Sequence, residues 1–253
     1  MLKEKCHPFF EGYNFLGFVH RGGAEEATEN TLEAFQFSSE MGFVFMETDV
    51  QATKDGKVVV FHDSDLKRMA GVNKKIEDLS FQEVKQIKLM GKTNIPSLNE
   101  VLYNFKDLRF NVDIKTELAV EQTVKIVSSH KAFDRVCLAS FSSKRLNRIR
   151  KIAGSRCCTS MGSSEIVYER INSLGLSFKK SLGKCAQVPI TQWGIPLVTP
   201  KFIKYVQEQN KFIHVWTIDK EDEMKRLISL GVDGIMTDRP KVLKKVLEDR
   251  GLM

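Results

Sequence analysis

Short apolar runs alternate with stretches whose apolar residues recur at helical spacing, and this beat continues along most of the chain. "FLGFVH" (15–20) reads as a buried strand. The segment after it, "TENTLEAFQFSSEMG", carries a helical period, an Asn30 or Thr28 cap and Gly42 as its stop. "FVFMETDV" (43–50) is a second strand, and "TKDGKVVVFHD" places an Asp55-Gly56 turn between extended segments, a hairpin signal. "LRFNVDIK" (108–115), "RVCLASF", "RCCTSM", "AQVPI", "FIHVWTI" and "VDGIMTD" supply six more strands, each ahead of a helical stretch. Eight strand-plus-helix units in 253 residues predict an α/β protein, a single (β/α)8 TIM barrel with a small hairpin or loop insertion after strand two. An open doubly wound sheet is the competing architecture, but no G-x-G-x-x-G turn follows strand one.

Composition adds limits to that picture. Hydrophobic residues form 42% of the chain and charged residues 28%, the balance of a globular protein, and no linker or compositional shift divides residues 1–253 into two domains. No run of apolar residues is long enough for a membrane span, and the first twenty residues lack a signal-peptide core, so a cytoplasmic location is expected. Five cysteines without C-x-x-C spacing indicate neither a disulfide framework nor a zinc site. The net charge of +7 comes from scattered lysines without aromatic interleaving, which argues for a solvated surface and against nucleic acid. Oligomeric state is not encoded in any pattern found.

In a barrel of this kind chemistry gathers at the C-terminal ends of the strands. Those ends hold His20-Arg21, Glu47-Thr48-Asp49, His62-Asp63, Asp113-Ile114-Lys115, Trp216-Thr217 and Thr237-Asp238. Glu47 and Asp49 are two apart on one strand and share a face, and Asp113 on the next strand brings a third carboxylate. Two readings stand for this cluster: oxygen ligands for a hard divalent ion, or salt bridges with Lys115 and nearby arginines. His20 and His62 beside it suit a general acid and base, and Arg21 and Lys115 suit a phosphate. Trp216 lines a substrate pocket or packs in the core. Glu29 is a partner for a histidine or a helix-first-turn acid, and Asp238 is a cap for the last helix.

These residues resemble the glycerophosphodiester phosphodiesterase family. "HRGG...ENTLEAF" is similar to its H-R-G-x-(P)-E-N-T signature, and "METDVQATKDGKVVVFHDSDLKR" to its E-x-D-V…D-G…H-D signature. "IPSLNEVL", "NVDIK" and "VWTIDKEDEMKRLISLGVDGIMTDRP" follow in the family's order, so the resemblance spans roughly residues 17–243. It implies a divalent ion (Mg2+ or Ca2+, with Mn2+ as a further option) held by Glu47, Asp49 and Asp113, catalytic His20 and His62, and phosphate contacts from Arg21 and Lys115. The implied reaction is metal-dependent hydrolysis of a glycerophosphodiester to sn-glycerol 3-phosphate and an alcohol. Thr28 replaces the family's usual proline, and Asp113 replaces a more common Glu. A lysophospholipase D-like activity is the alternative, and it would need an apolar groove that the phenylalanine positions do not reveal. A catalytically silent phosphate-binding barrel is a further alternative.

Overall fold

All eight residues of Phe45–Ala52 (β2) are buried, as a strand covered on both faces requires. The computed structural model describes residues 7–177 and 179–253. In it β2 belongs to a sheet with Leu16–Val19 (β1), Arg109–Ile114 (β3), Val136–Ala139 (β4), Cys158–Thr159 (β5), Cys185–Val188 (β6), Phe212–Val215 (β7) and Gly234–Thr237 (β8). The order runs β5-β4-β3-β2-β1-β8-β7-β6, with these neighbours parallel. A lone parallel bridge from Ser160 to Cys185 joins β5 to β6, supported by Met161 N donating to Cys185 O and Lys184 N to Thr159 O, both at 2.8 Å. The sheet is thus the expected (β/α)8 barrel. The helices between and after its strands are Leu32–Glu40 (α1), Leu98–Asn104 (α2), Ala119–Ser129 (α3), Ser143–Ala153 (α4), Ser163–Asn172 (α5), Pro200–Glu208 (α6), Glu221–Leu230 (α7) and Pro240–Glu248 (α8).

Alternation along each strand sorts the side chains. Met46 and Val50 of β2 join the layer between sheet and helices, whereas Phe45 faces the lumen with Leu16, Phe18, Cys137, Cys158, Cys185 and Met236. A 3-10 turn, Pro8–Phe10, contributes Phe9 and Phe10 to this lumen cluster, where Phe10 stacks on Phe212 at 4.0 Å. The described cysteines are free and buried, in line with the absence of a disulfide framework; Cys6 lies outside the described residues. Among the described residues no helix is long and apolar enough to cross a membrane.

The insertion after β2 holds more than a hairpin. Val58–Val60 pairs antiparallel with β2, as the Asp55-Gly56 turn predicts. Two short helices, Lys67–Ala70 and Phe81–Lys85, and a small strand pair then close over a separate cluster of apolar side chains that includes Val59, Leu66, Met69 and Ile76. α1 also departs from expectation: its cap is Thr31, whose hydroxyl accepts from Ala34 N, not Asn30 or Thr28.

α5 is inverted relative to an ordinary barrel helix. Its buried positions are Glu165, Glu169 and Asn172, while Val167 is 48% exposed. Polar partners permit this arrangement. Glu165 pairs with Arg150 at 2.8 Å and accepts from Gly162 N and Leu182 N. Glu169 accepts from Ser181 N, Asn172 and Lys211. Burial alone would raise the pKa of Glu169, but the bonds from Ser181, Asn172 and Lys211 outweigh it and lower it to about 2 from 4.5. A folded-state pKa below the unfolded one gives stability that is complete above about 4.5 and is lost as pH falls toward 2. At about 1.4 kcal/mol per unit, Glu169→Gln should cost on the order of 3 kcal/mol at pH 7 and less than about half of that at pH 3, closing only as pH falls toward 2. Urea melts of both proteins at the two pH values check this, and an equal gap at both would place the stability elsewhere.

Candidate active site

Strand register brings the acidic residues together. Asp49 of β2 pairs across the ladder with Asp113 of β3, and both are buried. Lys115 follows β3 and sets its Nζ 2.7 Å from Asp49 Oδ1 and 2.6 Å from Asp113 Oδ2. Asp49 Oδ2 accepts from Asn30 Nδ2 at 3.0 Å and lies 3.3 Å from Arg21 Nε. Burial works against an ionised Asp49, yet Lys115, Arg21 and His62 prevail and hold its pKa below the ordinary value. Asp113 moves the other way, because burial and the adjacent Asp49 charge exceed the pull of Lys115. Glu47, two residues before Asp49, is pushed up to about 8 by burial and by Asp49. Asp113 Oδ1 is buried without a hydrogen-bond partner.

The "HRGG" segment explains its glycines through local geometry. His20–Gly22 forms a 3-10 turn in which Arg21 is left-handed at φ 52, and Arg21 N donates to Glu47 Oε2 at 3.3 Å. A Cβ on Gly22, also left-handed at φ 80, would meet Ala34 Cβ at 2.7 Å, so only glycine lets this turn press against α1. Asn30 is likewise left-handed at φ 58 and accepts from Thr48 Oγ1 at 2.7 Å while donating to Asp49. Its buried amide therefore orients a carboxylate, a role that helix-cap patterning does not disclose.

Each histidine is anchored through Nδ1. His20 Nδ1 lies 2.8 Å from Asp238 Oδ1, and its Nε2 lies 3.7 Å from Glu47 Oε2. Asp238 is therefore not the cap of α8, whose N-cap position is Arg239. Burial lowers the basicity of His20, but Glu47 and Asp238 together raise its pKa. His62 Nδ1 lies 2.8 Å from Asp63 Oδ1. Arg68, from the first short insertion helix, clamps Asp63 through Nε at 2.6 Å and Nη2 at 3.0 Å, and this bonding takes the Asp63 pKa down to about 2. A carboxylate only accepts, so each imidazole carries its neutral-form proton on Nδ1 and leaves Nε2 as the acceptor. Glu29 touches neither histidine: it bridges Arg68 at 2.7 Å and Arg21 at 3.1 Å.

Both histidines and the carboxylates Glu47, Asp49 and Asp113 line a cavity of about 380 Å3 together with Arg21 and Lys115. Trp216 is in the wall, edge-on to Phe141 at 5.7 Å, and Phe141 stands 5.8 Å from the Lys115 ammonium. The structure thus brings His20, Arg21, Glu47, Asp49, His62, Asp113, Lys115 and Trp216 to a single opening at the C-terminal ends of the strands. The cavity wall also includes the apolar Met161, Ile166, Val167, Ile171 and Ile195. Most of these come from α5, so the phenylalanine positions gave no sign of them. Asp238 and Asn30, expected as helix caps, instead bond His20 and Asp49, and Asp63, noted at a strand end without a role, bonds His62. Arg68 carries no signal in the sequence that points to the site.

A model of the glycerophosphoryl diester phosphodiesterase family matches residues 20–242. "Probable glycerophosphodiester phosphodiesterase 2" of Mycobacterium tuberculosis is 32% identical over 242 residues, which cover 93% of this chain and 92% of that protein. The glycerophosphodiester phosphodiesterase of Thermotoga maritima shares the fold at a TM-score of 0.73 and 30% identity, covering 92% of this chain and 98% of its own. An Oleispira antarctica phosphodiesterase, solved with the product sn-glycerol-3-phosphate, superposes at a TM-score of 0.77 with 20% identity, over 92% and 96% of the two chains. With a family match across almost the whole barrel and a relative above 30% identity, the chain belongs to the glycerophosphoryl diester phosphodiesterase family, enzymes that hydrolyse glycerophosphodiesters.

Proposed function

We propose that this mouth releases sn-glycerol 3-phosphate and an alcohol from glycerophosphodiesters by general acid–base catalysis, with a divalent cation held by Glu47, Asp49 and Asp113. The observation that carries the reading is the meeting, in one cavity, of two aspartate-anchored histidines with the cationic Arg21 and Lys115. The product bound to the Oleispira enzyme supports naming the same monoester here. The free buried thiols suit a reducing compartment, and a cytoplasmic location belongs to the same proposal.

The donor set fits a hard cation such as Mg2+, Ca2+ or Mn2+. Asp113 offers a buried oxygen without a partner, and Glu47 keeps its proton to about 8 for want of positive charge nearby sufficient to offset burial and Asp49. Among the described residues no three acidic, histidine or cysteine side chains already converge as a cage, because the Lys115 ammonium spans Asp49 and Asp113. When bound, the cation supplies Lewis-acid neutralisation of phosphate charge.

The protein's own groups supply the rest. Arg21 offers a planar fork of donors and Lys115 a point charge to the non-bridging phosphate oxygens. Of the two histidines, the neutral one takes a proton at Nε2 from the attacking oxygen, and the protonated one gives its Nε2 proton to the departing alkoxide. Asp238 and Asp63 keep both rings oriented during the exchange. Trp216 gives the glycerol a flat wall.

His20→Ala and His62→Ala should each reduce turnover by about 10²-fold or more while circular dichroism stays unchanged. A folded variant with near-normal turnover on glycerophosphocholine would remove that histidine from the scheme. Activity should vanish in chelator and return with Mg2+, Ca2+ or Mn2+. Added cation should also raise the melting temperature of wild type but not of Asp113→Ala, and full activity after exhaustive metal removal would reject the cation.

A further inference from the structure

Besides the histidines, the cationic side chains that line the cavity among the described residues are Arg21, Lys115 and Arg170, and they are not equally matched. Arg21 meets Glu29 at 3.1 Å and Asp49 at 3.3 Å, and Lys115 meets Asp49 and Asp113. Arg170 of α5 has no ion pair among the described residues. Its Nη1 donates to Ser173 Oγ at 3.2 Å, and its Nε is buried without a hydrogen-bond partner. Other partly buried arginines are satisfied more fully: Arg150 holds Glu165, and Arg135 holds the carbonyls of Leu102, Phe105 and Leu108. A guanidinium drawn partly out of water loses hydration, and one bond to a hydroxyl restores little of it.

Helical spacing sets where this charge points. Ile166, Val167, Arg170 and Ile171 fall on one stripe of α5 and all line the cavity, so the arginine interrupts a row that is otherwise apolar. Glu165 and Glu169 lie on the opposite face of the helix and are occupied by Arg150, Ser181 and Lys211. The acids of its own helix therefore do not compensate Arg170. Among the described residues it also contacts none of the histidines or carboxylates at the strand ends. An anionic ligand group completes it, because the planar fork of donors matches the oxygens of a phosphate or a carboxylate. The phosphate under attack already has Arg21 and Lys115 beside the histidines, which leaves Arg170 for a second anion in the same cavity.

We infer that Arg170 determines specificity by gripping an oxyanion on the alcohol portion of the diester, so that the substrates are glycerophosphodiesters whose alcohol carries a second phosphate or a carboxylate. The inference rests on the diesterase reading of the histidine and carboxylate cluster. In the overall reaction water adds across the bond between phosphorus and the alcohol oxygen. The hydroxyl stays on phosphorus, the proton goes to the departing alkoxide, and the alcohol leaves with its anionic group from Arg170. A purely cationic headgroup such as choline meets like charge at the same place and is selected against.

Two substrate pairs test this, each read as kcat/KM for release of sn-glycerol 3-phosphate. Glycerophosphoserine differs from glycerophosphoethanolamine by a carboxylate, and bis(glycerophospho)glycerol differs from glycerophosphoglycerol by a second glycerophosphate. Wild type should favour the more anionic member of at least one pair by about tenfold or more, the scale of one charge-assisted hydrogen bond, and the pair that shows it identifies the oxyanion. Arg170→Met, which keeps an apolar stem, should bring that ratio to about twofold or less. Lys151→Met, which removes an exposed charge outside the cavity lining, should keep the wild-type ratio. No preference in either pair, a ratio unchanged in Arg170→Met, or an equal fall in Lys151→Met overturns the assignment. If wild type cleaves none of the four, the diesterase reading fails, and calorimetric binding of glycerophosphoserine and bis(glycerophospho)glycerol then decides Arg170. An affinity for either that Arg170→Met lowers by about tenfold retains it, and equal or absent binding in the two proteins rejects it.

Discussion

Two carboxylates placed directly opposite each other on adjacent buried strands repel, and the Lys115 ammonium that contacts both Asp49 and Asp113 makes their coexistence possible. Other features of the mouth follow from this charge balance. Asp49 uses both oxygens, with Lys115 on one and Asn30 and Arg21 on the other, and so remains ionised although it is almost fully buried. Glu47 is pushed the other way, because burial and the Asp49 charge exceed the pull of His20 and Lys115 on it. Phosphate, itself an anion, is complementary to Arg21 and Lys115 but not to the carboxylates beside them, which is the physical reason for assigning a cation to this site.

The histidines depend on a second chain of charges that reaches into the insertion. Arg68 grips Asp63 and Glu29 at once, and Glu29 in turn meets Arg21. The separate apolar cluster under the insertion therefore does more than fill a loop. It fixes the helix Lys67–Ala70 and with it the arginine that sets the His62–Asp63 pair. His20 needs no such outwork, because Asp238 directly follows β8, the strand hydrogen-bonded to β1. One ring is thus held by the barrel and the other by the insertion.

α5 shows how a fold can spend buried charge to shape a surface. Arg150, Lys211 and the backbone of residues 181–183 satisfy Glu165 and Glu169, and the apolar residues that would otherwise cover the barrel line the cavity. The inner layer was free to be polar because neighbouring loops supply donors in the right places.

Local pattern by itself determined the barrel, since strand and helix periods alternate eight times and parallel strands buried on both faces need the intervening helices. It also determined which strand ends carry His20, Glu47, Asp49, His62, Asp113 and Lys115, because two-residue spacing on a strand is a statement about faces. The partners of those residues were decided only by the tertiary structure. Asp238 meets His20 across 218 positions of sequence, and Arg68 meets Glu29 across 39. The apolar part of the cavity wall was hidden for the same reason: Val167 and Ile171 have the helical spacing of core residues, and only the burial of Glu165 and Glu169 on the opposite face turns them toward the cavity. Periodicity specifies that a helix has two faces, but which face turns inward is settled by the charges available to it once the chain has closed.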